Sequence, residues 1–141
     1  MSLELKFDPK TIEHLGVKMY ATLPPALAEL ISNAYDADSA NVVVEFTEVN
    51  KVPKGIVVKD EGEGMSLDDI QTKFLVIGRN RRNEGDKPSK KFKRLPTGKK
   101  GLGKLALFGL ANEIVVDTIK NGLRNRFRLN WNDLLSSSSI Y

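Results

Sequence analysis

The chain has 141 residues, of which 40% are hydrophobic and 28% are charged, so it has enough apolar side chains for one domain with a real core. It contains no cysteine, which excludes disulfides and thiolate metal sites, and its single histidine, His14, cannot form a metal site alone. No apolar run approaches the roughly 20 residues that cross a bilayer, and the first residues lack the layout of a signal peptide. We therefore expect a cytoplasmic protein with no membrane partner.

The net charge of +4 is unevenly distributed along the chain. Between Arg79 and Lys104, 11 Lys and Arg residues stand against two acidic residues, which gives this basic loop a net charge of +9. The rest of the chain has 11 basic and 16 acidic residues, a net charge of −5. The basic loop predicts contact with an anion, and a solvated surface loop is the alternative. Nucleic acid is a candidate anion, contacted through its phosphates by Lys90, Lys91, Lys93 and Arg94.

The first predicted element is a helix with Pro24 and Pro25 in its first turn and apolar positions that recur on one face from Leu27 to Ala37. Its polar face carries Glu29 and Asn33 four residues apart, which places their Cβ atoms about 6 Å from each other. A carboxylate can polarise an attacking water, and an amide oxygen can hold magnesium on phosphates. The solvated face of an ordinary amphipathic helix is the alternative interpretation.

Two strands are predicted next. Val42, Val44 and Phe46 alternate with Val43, Glu45 and Thr47, which indicates the first strand. The run Gly55 to Lys59 indicates a second strand, which we expect to be buried.

A short glycine-containing loop, DEGEGM, follows the second strand. Asp60 lies at the strand's exit, and Gly62 and Gly64 allow backbone to come close to a flat ligand. A carboxylate here can accept a hydrogen from the exocyclic amine of adenine, whereas guanine presents a carbonyl at that position. A plain turn between strand and helix is the alternative. Ser66 and Asp69 then form a helix-capping pair, and the helix should turn four residues toward the core: Leu67, Ile70, Phe74 and Ile77.

The stretch Gly98 to Lys104 has the spacing of a phosphate-binding loop, but Leu105 follows where that motif needs Ser or Thr. It also follows a polar basic loop and not a strand, which argues against both a Walker motif and a dinucleotide fingerprint. A helix is predicted from Leu102, and backbone N–H groups at its glycine-rich start, with Lys99, Lys100 and Lys104, can cradle phosphates. A flexible glycine hinge is the alternative.

The last predicted unit is a β-hairpin. Glu113 to Ile119 and Leu123 to Trp131 read as two strands joined at Asn121-Gly122. The second strand directs one set of side chains to the helices (Leu123, Asn125, Phe127, Leu129 and Trp131) and the other to solvent (Arg124, Arg126 and Arg128). We expect one domain over residues 1–135 and a frayed tail over 136–141.

The order E-x-x-x-N-x-x-D, D-x-G-x-G-M and G-x-x-G-x-G-K resembles the GHKL ATPases, the superfamily of gyrase B subunits, ninety-kilodalton heat-shock chaperones, histidine kinases and MutL proteins. The resemblance implies a Bergerat-type ATP-binding fold, an α/β two-layer sandwich with a mixed sheet and helices on one face, that binds ATP and Mg²⁺. It implies that Glu29 is the general base, Asn33 the magnesium ligand and Asp60 the adenine anchor. It further implies a nucleoside pocket shaped by Gly62, Gly64 and Met65, with Gly78 ending its helix, and a phosphate lid formed by Gly98, Gly101, Gly103 and Lys104. The nucleotide-binding residues expected from it also include Gly78, Lys99, Lys100 and Leu102.

Within this superfamily, the stretch FDPKTIEHLGVKMYATLPPALAELISNAYDAD is most similar to prokaryotic chaperone-like ATPases related to the Microrchidia (MORC) group. Glu29 argues against a histidine kinase, because those enzymes typically lack this carboxylate. The chain lacks the later Gly-Thr pair that supports the adenine-binding aspartate in the family, and the transducer domain that supplies a lysine. We therefore expect an N-terminal fragment in which binding is weakened and turnover slow.

The resemblance leaves three interpretations of function. The first is ATP hydrolysis that drives a conformational or dimerisation cycle. The second is an ATP-gated clamp, in which a homodimer closes on nucleic acid through the 79–104 loop with little hydrolysis. The third is a degenerate pocket that serves only as an interaction module.

Overall fold

The computed structural model describes residues 23–76, 87–97, 107 and 111–136. In chain order the elements are α1 (Leu23–Asp36), β1 (Val42–Val49), β2 (Val52–Asp60), α2 (Leu67–Asp69), β3 (Glu113–Lys120), β4 (Leu123–Asn130) and α3 (Trp131–Ser136). Helix α2 continues without a break as a π-helix over Ile70–Phe74. The α/β class expected from the sequence is confirmed, and the described strands pair as two antiparallel hairpins, β1–β2 and β3–β4. None of the described helices is long and apolar enough to cross a membrane.

The β1–β2 hairpin is longer than the two strands predicted from the sequence. Its two-residue turn, Asn50 and Lys51, has φ values of 53° and 64°, the left-handed pair that matches the twist of a hairpin. The pairing register shifts between Thr47 and Glu48, opposite Pro53, which has no N–H to offer to the ladder.

The expectation that residues 55–59 form a buried strand is wrong for one face of β2. Ile56 and Val58 are half-buried, whereas Val57 is 39% exposed and Lys59 is exposed. The strand therefore follows the alternating pattern of an antiparallel sheet that is covered on one side. Lys59 on the open face reaches across to Glu45, its Nζ 2.9 Å from the carboxylate.

The β3–β4 hairpin confirms the predicted turn at Asn121-Gly122, where both φ values are positive, 51° and 77°. The predicted faces of β4 are also confirmed from Asn125 to Leu129: Leu129 is buried, and the three arginines are exposed. The predictions for the two ends of this face are wrong, because Leu123 is 73% exposed and β4 ends at Asn130, before Trp131. The Asn130 side chain accepts bonds from the N–H groups of residues 132 and 133, so it caps α3 with Trp131 as its first residue.

The segment after Met65 packs on the β3–β4 hairpin. Ser66 and Asp69 form the predicted capping box. Ile70 and Leu75 are fully buried, and the ring of Phe74 meets that of Phe127 edge-on, with centroids 5.8 Å apart. The regular helical face predicted from the sequence is changed by the π-turn, in which the N–H of Leu75 donates to Ile70 O. The extra residue brings Leu75 into the core, while Leu67 is 36% exposed and Ile77 lies outside the described residues.

Asp69 is the most strongly bonded carboxylate in the described part of the chain. It is only 9% exposed, and its two oxygens accept bonds from Lys120 at 2.6 Å and Lys73 at 2.5 Å. These two bonds hold the pKa of Asp69 far below its ordinary value. The bond from Lys120 has the largest effect and the bond from Lys73 the next largest, while burial acts in the opposite direction. Asp69 therefore ties the start of α2 to the end of β3.

Replacing Asp69 by Asn should lower the free energy of unfolding by about 2 kcal/mol at pH 7, because two ammonium groups lose their counter-charge. The folded pKa of Asp69 is depressed, so its contribution is complete above the ordinary value of 3.8 and is lost as the pH falls below it. Urea unfolding between about pH 7 and pH 2.5 should therefore show the two proteins converging in acid.

Asp68→Asn is the matched control, since Asp68 is exposed one residue away. Its effect should stay within about 0.5 kcal/mol. Equal losses for the two variants, or a loss at Asp69 that does not change with pH, would contradict the role assigned to this ion pair.

Candidate functional site

The predicted polar face of α1 is present. The helix runs from Leu23 to Asp36, and its first turn contains the two prolines, as predicted. Glu29 is half-buried and Asn33 is exposed, one turn apart, while Ala26 and Ala34 are buried. The pair therefore lies at the edge of the core, where a carboxylate can be partly shielded and an amide can still reach a ligand.

Helix α1 ends in a Schellman motif. The N–H of Ser39 donates to Ala34 O at 3.0 Å and that of Asp38 to Tyr35 O at 3.1 Å, which satisfies two carbonyls of the last turn. Asp38 occupies the left-handed position, φ 62°, where glycine is usual. Asp38 and Ser39 are both buried, at 3% and 5% exposure.

This helix end joins the loop after Asp60. The N–H of Glu63 donates to Ala37 O at 2.8 Å, and the N–H of Glu61 donates to the Ser39 hydroxyl at 2.8 Å. Gly62 lies between them, and a Cβ built there would come 2.7 Å from Ala37 O. A side chain at position 62 would therefore force the two segments apart. The first two sequence stretches, separate in the chain, form one junction.

Asp60 is the last residue of β2, and it is exposed. Its Oδ1 accepts a hydrogen bond from the N–H of Gly62 at 2.8 Å, which closes an Asx turn. The alternative interpretation, that Asp60 is part of a plain turn, is therefore correct for Oδ1, the oxygen that closes the turn. The same bond orients the carboxylate at the exit of the strand, which is where the sequence placed a base-binding group.

The other end of the loop lies on the β3–β4 hairpin. Gly64 has φ +68°, and a Cβ there would lie 1.9 Å from Ile119 O, so only glycine fits. Met65 follows, with its N–H donating to Thr118 Oγ1 at 2.9 Å and its carbonyl accepting from Asn125 Nδ2 at 3.4 Å. Sequence reasoning missed Thr118, although a polar residue that continues the inward face of Ile114 and Val116 was a usable signal.

Part of the basic loop, residues 87–97, is docked on the end of α1. The Asp38 carboxylate accepts hydrogen bonds from the N–H groups of Lys91 at 2.7 Å and Phe92 at 3.2 Å. Burial alone would raise the pKa of Asp38, but bonds from the Ser89 hydroxyl and these amides, with the charge of Arg94, lower it.

Arg94 is the most enclosed basic residue of this segment. Its guanidinium lies 4.4 Å from the ring centre of Tyr35 and 4.3 Å from that of Phe92, and it donates to the carbonyls of Tyr35 and Ser39 at 3.2 and 2.7 Å. Arg94 therefore has a structural role at the helix end, and its role as a phosphate contact stays a prediction. The alternative of a fully solvated loop is wrong for this segment, because its backbone and the Arg94 side chain are bonded to the helix end.

Thr97, the last described residue before the predicted phosphate lid, is bonded to α1. Its N–H and hydroxyl donate to Asp36 Oδ1 at 2.8 and 2.9 Å, and its hydroxyl lies 2.7 Å from that of Ser32. These contacts lie on either side of Asn33 in the helix. Some predicted site residues fall outside the described residues and stay predictions: Gly78, Gly98, Lys99, Lys100, Gly101, Leu102, Gly103 and Lys104.

Replacing Arg94 by Lys keeps the positive charge and the trypsin cleavage site. It removes the planar guanidinium, and with it the bonds to the two carbonyls and the stacking on Tyr35 and Phe92. The loss of about 1 to 2 kcal/mol should raise the rate of tryptic cleavage within residues 87–97 about tenfold, as measured by limited proteolysis. Lys90→Arg is the control, because the Lys90 side chain is 83% exposed. The docking role of Arg94 fails if the two variants are cleaved at the same rate.

Comparisons with known proteins give two matches. A protein of Herpetosiphon aurantiacus named "Putative type II restriction enzyme HgiDII" is 35% identical over 131 residues, 93% of this chain, and the chain spans 20% of that relative's length. No solved structure matches the chain significantly. The family model for histidine kinase-, DNA gyrase B- and HSP90-like ATPases matches residues 20–140, which include all three motif stretches. The chain therefore belongs to the family of histidine kinase-, DNA gyrase B- and HSP90-like ATPases, the GHKL superfamily that its sequence resembles.

Proposed function

We propose that the chain binds magnesium-ATP and hydrolyses it, and that turnover drives a conformational or dimerisation cycle of the full-length protein. One observation carries the proposal: the bonds of residues 61 and 63 to the end of α1. They join the strand exit that carries Asp60 to the helix that carries Glu29 and Asn33. The base-binding group and the phosphate-side groups thus belong to one hydrogen-bonded unit.

Asp60 supplies base recognition in this proposal. Its Oδ1 is held by Gly62 N–H, so the carboxylate is oriented before a nucleotide arrives. A carboxylate accepts the amino hydrogen of adenine and repels the carbonyl of guanine, so ATP is preferred over GTP. The adjacent Gly62 and Gly64 keep the loop backbone close to its neighbours, and Met65 adds apolar area for the base.

The donor set on α1 fits magnesium bound mainly through phosphates and water. Among the described residues no three acidic or histidine side chains are grouped to hold a metal ion. One amide oxygen, that of Asn33, suits Mg²⁺, which keeps several waters and takes substrate phosphate oxygens as ligands. When bound, the ion would neutralise charge on the phosphates.

Glu29 activates the water in the proposed reaction. A half-buried carboxylate one turn before Asn33 can accept a proton from, or orient, a water that attacks the γ-phosphorus in line. The bond to the leaving oxygen of ADP then breaks, and inorganic phosphate forms. Residues 98–104 are assigned to the phosphates by their sequence, and Thr97, the residue before them, is bonded to α1.

Two substitutions separate the roles. Glu29→Gln should lower kcat for phosphate release by about 100-fold to 10,000-fold with ATP affinity nearly unchanged, because only the proton acceptor is lost. Asp60→Asn should instead raise the ATP Kd by about tenfold or more and narrow the preference for ATP over GTP. Phosphate release and calorimetric titration on the full-length protein measure the two effects.

The control for both is Glu48→Gln, the same loss of charge at an exposed carboxylate on β1. Hydrolysis that survives in Glu29→Gln removes the general-base role, and unchanged ATP affinity in Asp60→Asn removes the adenine role.

An ATP-gated clamp on nucleic acid is the second candidate. It is favoured by the exposed side chains of Lys90, Lys91 and Lys93, which surround a turn whose backbone Asp38 fixes. The relative named as a restriction enzyme agrees with a DNA partner. Arg94 is left out of the substitutions below, because its guanidinium also donates to two carbonyls that hold the loop. The similarity to MORC-related ATPases is compatible with either function.

If the clamp is correct, changing Lys90, Lys91 and Lys93 together to Gln should weaken binding to duplex DNA. It should also reduce the steepness of the slope of log affinity against log salt concentration by roughly 2 to 3, because each phosphate contact contributes about 0.9 to that slope. Fluorescence anisotropy with the full-length protein, with and without ATP, measures this. The matched control changes Lys51, Lys54 and Lys59 to Gln. No DNA affinity at low salt in either nucleotide state would exclude the clamp.

A further inference from the structure

The hairpin β3–β4 contacts the Asp60–Met65 loop through side chains that no motif contains. Both backbone polar groups of Met65 are bonded to it: the N–H to Thr118 Oγ1 at 2.9 Å and the carbonyl to Asn125 Nδ2 at 3.4 Å. Thr118 and Asn125 are a directly opposed pair in the hairpin, and both are half-buried. The hairpin thus presents one donor and one acceptor to a single peptide position.

Two further contacts show that this approach is close and not incidental. Gly64, one residue before, has its Cα against the backbone of Ile119, where a Cβ would clash at 1.9 Å. Asp69, four residues after Met65, is bonded to Lys120 at 2.6 Å. Three successive residues of β3, at 118, 119 and 120, therefore hold three points of the segment 64–69.

The loop is consequently fixed at both ends. At its start, Asp60 continues from β2, and the N–H groups of residues 61 and 63 are bonded to Ser39 and Ala37. At its end, the N–H of Met65 has Thr118 as its acceptor. If that acceptor is removed, the half-buried N–H loses its partner and the loop loses its attachment at the residue that follows Gly64.

We propose that Thr118 is a positioning residue of the nucleotide site, which holds Met65 and thereby the Asp60–Met65 loop in the geometry that receives the base. The inference rests on the proposed ATP site. A loop ordered before binding loses less conformational entropy when the nucleotide enters, so affinity and base selectivity depend on this hydroxyl. Thr118 is bonded to the loop and not to a group assigned to the phosphates, so the chemical step should be unchanged when it is replaced.

The test compares three variants of the full-length protein. Thr118→Val keeps the shape but removes the acceptor, Thr118→Ser keeps the acceptor, and Thr47→Val makes the same change at an exposed strand position. Amide hydrogen exchange at Met65 is measured without nucleotide, and Kd values are measured for ATP and GTP. Circular dichroism and thermal unfolding check that each variant folds.

We expect Thr118→Val to speed exchange at Met65 about tenfold, raise the ATP Kd about fivefold and lower the ATP-to-GTP preference, with kcat at saturating ATP within about twofold. Thr118→Ser should restore all of these values, and Thr47→Val should match wild type. A rise in the ATP Kd without a matching fall in kcat distinguishes loss of positioning from general destabilisation of the fold.

Unchanged Met65 exchange in Thr118→Val would overturn the positioning role. Faster exchange with unchanged Kd and unchanged ATP-to-GTP preference would also overturn it, because the bond would then only support the fold. If wild type itself binds no ATP, the proposed function fails together with the inference, and that result is distinct because it appears before any substitution is made.

Discussion

The corner at the end of α1 is the constraint on which the rest of the site depends. Asp38 adopts a left-handed conformation there, and its buried carboxylate accepts two backbone N–H groups of the basic loop. Glycine would satisfy the backbone at this position, but it could not bind the loop. One residue thus ends the helix, turns the chain toward β1 and fixes residues 91 and 92 beside it.

Around this corner, polar bonds join the segments that the structure describes. Ser39 joins the corner to the Asp60 loop, and Arg94 covers it by stacking between Tyr35 and Phe92. On the far side of the loop, the β3–β4 hairpin contributes the Thr118 bond and the Asp69–Lys120 ion pair. Bonds whose partners are far apart in sequence surround a short loop, and this order before binding is what a selective nucleotide site requires.

Local sequence signals predicted the elements well where one short pattern decides the conformation. The Asn121-Gly122 turn and the Ser66–Asp69 capping box are as expected, because each depends on residues only a few positions apart. The Asn50-Lys51 turn was missed, since lysine rarely adopts positive φ and the pairing of the flanking strands imposes it. The π-turn was missed for a similar reason: burying Leu75 decides it, and helical periodicity contains no signal for an inserted residue.

The sequence by itself determined the superfamily, the polar pair on α1 and the position of Asp60 at the end of a strand, because motif order and i,i+4 spacing are properties of the chain alone. Only the tertiary structure decided which polar residues join these parts. Nothing in the sequence distinguishes Arg94 from the exposed lysines next to it, or Thr118 from other strand threonines. Their roles arise from partners 53 or more positions away, Tyr35 and Ser39 for Arg94 and Met65 for Thr118. A hydrogen bond across such a separation is fixed by the packing of whole elements, and no local pattern in the chain encodes it.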